Sequence, residues 1–249
     1  MEDLDAARVV HGCADGILRT LEAFGLTWDG AVEYQSAGTR HYAQALRTLA
    51  AQDATFECSC PRRARDPERA GYPGTCRSGP TRSGPTATRF RIDDSLVAFE
   101  DRAQGVCRFA LSERGDVIVR RRDGAYAYQL AVVVDDARQG VTDVVRGADL
   151  LDSTPWQLAL QRALALPAPR YLHLPLVVEP GGQKLAKSRR SVALEPSLAG
   201  RQLYEALRLL RQGPPAELEL EPAPSVLKWA CAHWRPQQLR GVRQVRAAS

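Results

Sequence analysis

A chain of 249 residues can bury one substantial hydrophobic core, or one core and a small additional module. Its 44% hydrophobic and 25% charged residues are typical of a soluble globular protein, and no apolar run is long enough to span a membrane. The net charge of +5 permits a polyanionic partner without requiring one. The acidic start Met-Glu-Asp-Leu-Asp is unlike a signal peptide, so we expect a cytoplasmic protein that does not bind membranes.

Six cysteines in a chain expected in the cytoplasm argue against a disulfide framework. Three of them, Cys13, Cys107 and Cys231, stand alone in the sequence and are predicted to be small core residues. The other three lie between residues 58 and 76, which marks this stretch as a candidate site.

Two helices are predicted in the first 51 residues. Residues 11–25 carry apolar side chains at helical spacing, namely Ile17, Leu18, Leu21 and Phe24. Residues 39–51 place three more on one face, namely Tyr42, Leu46 and Leu49. The pattern then breaks down, and Arg-Ser-Gly-Pro-Thr at 77–81 is repeated at 82–86. Such a composition cannot bury a core, so it predicts a mobile loop.

Strands and helices alternate in the rest of the chain. Short strands are predicted at 89–92, 106–111, 117–121 and 171–178, and buried apolar segments beside a parallel sheet at 130–134 and 141–145. Ser153 is predicted to cap a helix that has Pro155 in its first turn and ends near Leu164. Helical segments are expected at 203–210 and 226–234. The alternation predicts an α/β fold.

The clustered cysteines form the first candidate site. Cys58 and Cys60 are separated by one residue, and Tyr72 and Cys76 follow after a loop rich in glycine and proline. Thiolates that a tight turn and a returning loop bring together suit tetrahedral zinc. Three cysteines leave the fourth ligand open, and because such sets are often coincidental the spacing alone also leaves the metal open.

A second candidate site combines Tyr128, in Tyr-Ala-Tyr-Gln-Leu-Ala-Val-Val-Val-Asp-Asp, with Arg146, in Val-Val-Arg-Gly-Ala-Asp-Leu. A tyrosine hydroxyl and an arginine fork that converge at the ends of buried elements can hold the carboxylates of an amino acid. The structural alternative is that Tyr128 belongs to the core and that Asp135 and Asp136 form a solvated turn.

A third candidate site is the segment Gly-Gly-Gln-Lys-Leu-Ala-Lys-Ser at 181–188. The two glycines give the loop freedom to move, and mobile ammonium groups can stabilise the negative charge that develops on phosphate oxygens during adenylate formation. On its own the motif is more typical of solvated surface charge.

Taken together and in this order, these motifs and the Glu-Asp-Leu-Asp start resemble the class I aminoacyl-tRNA synthetases. Within them they are most similar to the glutamyl-Q tRNA(Asp) synthetase branch, the truncated paralogues of glutamyl-tRNA synthetase. The resemblance covers residues 1 to about 235, which makes coincidence a poor explanation.

The resemblance implies a role for each candidate residue. Three residues would contact glutamate, namely Glu2, Tyr128 and Arg146. Four would bind zinc, with a tyrosine as the unusual fourth ligand, namely Cys58, Cys60, Tyr72 and Cys76. Two lysines would act in catalysis and one of them would contact ATP together with a serine, namely Lys184, Lys187 and Ser188.

The family also implies a fold and a function. We expect a Rossmann-type class I catalytic core formed by 1–57 and 101–194, a zinc-binding insertion at 58–100 and a helical C-terminal segment at 195–249. The implied activity uses ATP and Mg²⁺ to activate glutamate and transfers it to the queuosine base at the wobble position of tRNA(Asp). We expect the protein to act as a monomer.

One family signature does not appear. The family has a Ser-Pro-Thr-Gly-x-Leu-His-x-Gly segment ahead of Glu-Asp-Leu-Asp, where the present sequence begins. His11-Gly12 is no substitute, because it follows Glu2 and has no Pro-Thr-Gly turn. We expect a start codon placed too late, and adenylate formation that needs the residues encoded upstream. We call the protein that includes those residues the extended form.

Two alternatives remain open from the sequence. The chain could be a fragment of an ordinary glutamyl-tRNA synthetase that charges the tRNA 3′ end. The roughly 60 residues after Ser188 are too few for a large anticodon-binding region, which favours the paralogue. The chain could also be a non-catalytic relative that binds RNA or zinc, since the first signature is missing.

Overall fold

The computed structural model describes residues 1–61, 71–179 and 194–246. Its α-helices are α1 (Cys13–Ala23), α2 (Thr39–Ala51), α3 (Leu111–Arg114), α4 (Tyr128–Arg138), α5 (Thr154–Ala163), α6 (Ala199–Leu209) and α7 (Ala223–His233). Its strands are β1 (Thr55–Cys58), β2 (Ala87–Phe90), β3 (Leu96–Asp101), β4 (Gly105–Ala110), β5 (Val117–Arg120), β6 (Asp143–Gly147), β7 (Arg170–Leu174), β8 (Leu176–Val178) and β9 (Gln244–Arg246).

A mixed sheet with the strand order β4-β3-β7-β6 forms the centre of the fold. Strands β3 and β4 are antiparallel, whereas β7 runs parallel to both β3 and β6. The expected α/β fold with a parallel sheet is therefore confirmed. Because β3, β6 and β7 run the same way, the residues at their carboxyl ends meet at one edge, and this edge carries the candidate amino-acid site.

A second sheet, with the order β1-β2-β5, is antiparallel throughout. Its first strand ends at Cys58, so it presents the cysteine cluster at one end. A short parallel pair joins β8 to β9.

Helix α4 lies in the main core and positions Tyr128 at its first residue. Most of its apolar side chains are buried, and they pack with side chains of α2 and α5. The most deeply buried of them are Leu130, Ala131 and Val133. Replacing such a buried leucine by alanine typically costs about 2–5 kcal/mol, so this packing holds the start of α4 firmly.

Several predicted elements are confirmed. Helix α2 has the predicted bounds, α1 lies within residues 11–25, and α6 and α7 form the expected helical tail. Among the described residues, no helix combines the length and the apolar character needed to cross a membrane.

Four local predictions are wrong. The run at 141–145 was expected to be buried, but none of its five residues is, and Val145 is 59% exposed, because β6 is the last strand in the order of the main sheet. The predicted strand 171–178 is two strands, β7 and β8, in different sheets. They are separated at Pro175, which has no N–H to donate to a ladder. Ser153 precedes α5 but makes no side-chain capping bond; its backbone is helical, whereas a capping residue is usually extended, and its hydroxyl accepts a hydrogen bond from Gln129. Of the three isolated cysteines only Cys107 is buried, while Cys13 and Cys231 are exposed.

The repeat at 77–86 contains no strand or helix, in agreement with its composition. Its first arginine is nonetheless well anchored. Arg77 Nε and one terminal nitrogen donate to the two carboxylate oxygens of Asp116, at 2.8 and 2.6 Å, and that terminal nitrogen also donates to the Ile92 carbonyl. The mobility of the rest of the loop remains a prediction.

Candidate functional site

Arg146 is the centre of a hydrogen-bonded group at the end of β6. Its Nε donates to His173 Nε2 at 3.1 Å, and one terminal nitrogen donates to the Thr154 hydroxyl at 2.8 Å and the Leu150 carbonyl at 3.4 Å. The other terminal nitrogen is 3.4 Å from the Tyr128 hydroxyl. A guanidinium has five N–H donors, so these four bonds to described residues leave a donor beside Tyr128.

The chain turns sharply after Arg146. A Cβ atom on Gly147 would lie 2.5 Å from a carboxylate oxygen of Asp149, so a side chain at this position would displace that carboxylate. The short 3-10 helix Ala148–Ser153 follows and leads straight into α5. This turn brings the Leu150 carbonyl and the Thr154 hydroxyl back against the guanidinium, which explains the Arg-Gly-x-Asp-Leu spacing.

Asp101 and His173 form a fully buried pair behind Arg146, with exposed fractions of 1% and 0%. The imidazole Nδ1 lies 2.6 Å from an Asp101 oxygen. The same carboxylate accepts hydrogen bonds from the backbone N–H groups of His173, Ala103 and Gln104. Burial raises the pKa of Asp101, but these hydrogen bonds outweigh it and hold the pKa below its ordinary value. Asp101 is therefore a carboxylate at neutral pH.

Tyr128 shares its surroundings with two carboxylates. Burial raises the pKa of its phenol, Arg146 opposes the rise and Glu2 adds to it, so the hydroxyl stays protonated. Burial also raises the pKa of Asp136 to about 6, against Arg146 and with help from Asp135 and Glu2. A cation, a phenol and two acidic groups at one place complement the opposite charges of an amino acid.

The acidic start of the chain is tied to α4 through a network of polar contacts. Asp3 accepts hydrogen bonds from the backbone N–H and the hydroxyl of Ser36, at 2.8 and 2.5 Å. Next to it, Gln35 donates to Asp135, which also accepts from the buried hydroxyl of Tyr42 at 2.7 Å. The alternative of a solvated turn at Asp135 and Asp136 is wrong, since both lie on α4 and Asp135 is buried.

The cysteine cluster has the geometry of a metal site. The sulfur atoms of Cys58, Cys60 and Cys76 all lie within 4.8 Å of one another. The Tyr72 hydroxyl is 3.4 Å from the first sulfur and 3.6 Å from the second, and the Cys60 and Cys76 sulfurs are 3.5 Å apart. Tetrahedral zinc with bonds of about 2.3 Å to sulfur and 2.0 Å to oxygen separates its ligand atoms by roughly 3.5–3.8 Å. The cluster is compatible with zinc.

The ionisation of Cys76 and the packing of the Tyr72 segment both bear on whether this cluster can bind a cation. Burial would raise the pKa of the Cys76 thiol, but hydrogen bonds from Tyr72 and from the backbone of Thr81 and Ser59 lower it to about 5. It is therefore a thiolate at neutral pH, the form that binds metal. The backbone of Tyr72 pairs with Gly115, and a Cβ atom on Gly115 would lie 2.4 Å from it. This close backbone contact holds the segment that carries Tyr72 in place.

The family model for class I tRNA synthetases (E and Q), catalytic domain, matches residues 1–211. The chain belongs to this family. The glutamyl-Q tRNA(Asp) synthetase of Pseudomonas paraeruginosa is 50% identical over 235 residues, which cover 94% of this chain and 80% of that protein. The protein of the same name from Pseudomonas syringae pv. syringae is 45% identical over 249 residues, covering 100% and 84%.

Solved structures agree on the class I synthetase fold. The glutamate-tRNA synthetase of Elizabethkingia anophelis superposes with a TM-score of 0.78 at 20% identity. The match covers 100% of this chain and 60% of that one, so the chain spans about three fifths of its length. The resemblance drawn from the motifs is thus confirmed at the level of family and fold.

Some of the site residues predicted from the sequence lie in the described part of the structure, and others do not. The structure brings Tyr128 and Arg146 together and places Glu2 within electrostatic reach of Tyr128. The lysine loop with Lys184, Lys187 and Ser188 falls in 180–193, outside the described residues, so its contacts with ATP remain predictions.

Three polar side chains of the hydrogen-bonded group around Arg146 were not identified from the sequence: Asp101, Thr154 and His173. One signal was available, since His173 is the one polar residue in the otherwise apolar run at 172–178. Asp101 and Thr154 gave no comparable signal, because an aspartate at the end of a strand and a threonine at the start of a helix are ordinary.

Proposed function

We propose that this protein uses ATP and Mg²⁺ to activate glutamate and then transfers the glutamyl group to the queuosine base at the wobble position of tRNA(Asp), acting as a monomer. The observation that carries the proposal is the pairing of Arg146 with Tyr128 at the carboxyl edge of the parallel sheet. In a protein of the class I family, this pairing supplies a cation and a hydroxyl at one place for an amino-acid substrate.

Glutamate would be held by opposite charges on opposite sides. The donor that Arg146 keeps beside Tyr128 would bind a carboxylate, and the Tyr128 hydroxyl would add a second hydrogen bond. Glu2 would attract the ammonium group from the other side. The Asp3–Ser36 contact supports this arrangement, because it fixes the segment that carries Glu2.

The activation step would follow from that binding. A carboxylate oxygen of glutamate attacks the α-phosphorus of ATP, the bond to the bridging oxygen breaks, and pyrophosphate leaves with the electron pair. A hydroxyl of the queuosine base then attacks the acyl carbon, its proton passes to the departing AMP phosphate, and the ester forms as AMP leaves. Lys184 and Lys187 would stabilise the phosphate oxygens while charge develops on them, and Ser188 would contact ATP with Lys187.

The lysines have a further point in their favour. The chain contains three lysines, and two of them are in this loop, while arginine supplies nearly all other positive charge. If this segment were only solvated surface, it would not be expected to contain two of the three lysines of a chain in which arginine is so much more common. A compact, flexible ammonium suits a group that must close on phosphate oxygens.

The name of the relatives supports the acceptor. Proteins named glutamyl-Q tRNA(Asp) synthetase match this chain at 45–50% identity along most of both lengths. The glutamate-tRNA synthetase structure is only 20% identical and extends well beyond the matched part. This difference favours queuosine over the tRNA 3′ end, the acceptor of the ordinary-synthetase alternative.

We also propose zinc as a structural metal, bound by Cys58, Cys60, Tyr72 and Cys76. The support is a cluster of three sulfur atoms within 4.8 Å of one another, with the Tyr72 hydroxyl 3.4 and 3.6 Å from two of them and the pKa of the Cys76 thiol lowered to about 5. Thiolate ligands favour zinc over magnesium or calcium. The metal would hold the end of β1 to the loop that carries Tyr72 and Cys76, so it would stabilise the folded form of this region.

Glutamate-dependent ATP–pyrophosphate exchange tests the activation step. We expect exchange in the extended form, and a loss of about a hundredfold on Lys187→Ala because a charge aimed at the developing phosphate charge is removed. Lys228→Ala is the matched control, since Lys228 is exposed on α7 and should leave exchange unchanged. An extended form with no glutamate-dependent exchange would contradict the proposal and favour the non-catalytic relative.

A further inference from the structure

Three buried polar side chains from three different elements meet behind Arg146. Asp101 ends β3, His173 lies on β7 and Thr154 begins α5, and the exposed fraction of each is 1% or less. Burying a carboxylate and an imidazole is costly unless their hydrogen bonds are satisfied. Apolar side chains would pack these elements together at less cost, so the polar group calls for an explanation beyond packing.

The hydrogen bonds determine where the protons lie. Arg146 Nε can only donate, so His173 Nε2, at 3.1 Å, must accept. The imidazole proton then sits on Nδ1 and is donated to the Asp101 carboxylate at 2.6 Å. Asp101 also accepts three hydrogen bonds from backbone N–H groups, as expected of an ionised carboxylate, so it has no proton to donate to Nδ1. The contacts permit only the neutral Nδ1–H form of His173.

We propose that Asp101 and His173 are positioning residues for glutamate use. Asp101 fixes the tautomer of His173, and His173 in turn holds the Nε edge of Arg146, so that the opposite edge faces Tyr128 and the substrate carboxylate. This inference rests on the proposed function, in which Arg146 binds glutamate. Neither residue touches the substrate, and each acts through the arginine.

Other contacts of the imidazole agree with this role. The Tyr171 ring stacks on His173 with the ring planes 15° apart, and the Arg146 guanidinium lies 5.4 Å from the centre of the same tyrosine ring. Thr154 accepts from a second guanidinium nitrogen and lies 3.2 Å from His173 Nε2. The arginine is thus fixed before substrate arrives, which removes the cost of ordering it during binding.

The first test reads the tautomer of His173 in the unmodified chain and uses a variant only for assignment. The chain has four histidines, and only His173 is buried, so its ring nitrogens can be assigned by their loss in His173→Gln. Nitrogen-15 NMR of the 249-residue chain should show a protonated Nδ1 and an unprotonated Nε2. A protonated Nε2 would overturn the inference whether or not the protein uses glutamate.

The second test separates positioning from folding. Asp101→Asn keeps the shape but places an amide donor against Nδ1, which forces the proton to Nε2 and against Arg146. The KM for glutamate in ATP–pyrophosphate exchange by the extended form should rise about tenfold or more, the loss expected for one hydrogen bond to a charged group. The KM for ATP should stay within about twofold.

His173→Gln provides an independent variant, because its amide can donate to Asp101 but offers Arg146 no acceptor in the same place, and the same rise is expected. The control is Asp116→Asn, another buried carboxylate bound to an arginine, here Arg77. It should lower stability and leave the KM for glutamate unchanged.

The outcomes are distinguishable. Folded Asp101→Asn and His173→Gln proteins with an unchanged KM for glutamate would show that the pair only joins β3 to β7, and the proposed function would stand. An unmodified extended form that does not use glutamate would instead contradict the proposed function, while the NMR result would still decide how Arg146 is held.

Discussion

Arg146→Ala is expected to weaken the use of glutamate by about 2–5 kcal/mol, measured from kcat/KM in glutamate-dependent pyrophosphate exchange by the extended form. The variant removes the one cation beside Tyr128 among the described residues and leaves the substrate carboxylate without its partner. It also removes the guanidinium N–H groups that donate to His173 and to Thr154. Both effects weaken binding in the same direction.

Arg170→Ala is the matched control. Arg170 begins β7 in the same sheet, but its side chain is exposed and pairs with Asp143 at the surface. Exposed pairs of this kind contribute about 0–1 kcal/mol, so glutamate use should hardly change. Arg146→Lys should rescue little, since an ammonium cannot reproduce the separate bonds of the fork. Unchanged glutamate use in Arg146→Ala would mean that this arginine is structural.

The second large effect concerns the metal. Protein purified without chelator is expected to carry about one zinc per chain, and Cys76→Ser is expected to lose it, because the variant removes a buried ligand that is already a thiolate. The loop that carries Tyr72 and Cys76 should become more mobile while the main core stays folded. Metal analysis gives the zinc content, and hydrogen exchange of the β1-β2-β5 sheet and of helix α4 reports the two regions separately.

Two further variants make the metal result specific. Tyr72→Phe removes only the hydroxyl, so it should weaken zinc binding if the phenol is the fourth ligand and have no effect on zinc if it is not. Cys231→Ser controls for adventitious binding, since this thiol is exposed and distant in sequence from the cluster. Metal-free protein from a chelator-free preparation would contradict the zinc site.

Local patterns allowed much of the fold to be predicted. Helix α2 was predicted with its observed bounds because Tyr42 and Leu49, seven residues apart, face the same core. Tyr128 and Arg146 were predicted to meet because each sits at an end of an apolar segment, and such ends converge at one edge of an α/β sheet. Here the periodicity and the tertiary structure impose the same arrangement.

Other features depend on contacts that no local pattern contains. The run at 130–134 is buried as expected, but periodicity did not decide that it is part of helix α4. Asp101 and His173 are 72 residues apart and meet only because β3 and β7 are neighbours in the sheet. Cys13 and Cys231 are exposed, although cysteine is usually buried, because their helices turn these positions to solvent.

The central claim is tested most directly by the nucleoside that receives glutamate. Labelled glutamate is incubated with ATP and the extended form, using tRNA(Asp) with and without queuosine, and the RNA is then digested to nucleosides. We predict label on queuosine and no labelling of the queuosine-free tRNA. Label on the 3′-terminal adenosine of both tRNAs would contradict the account and identify the activity of an ordinary glutamyl-tRNA synthetase.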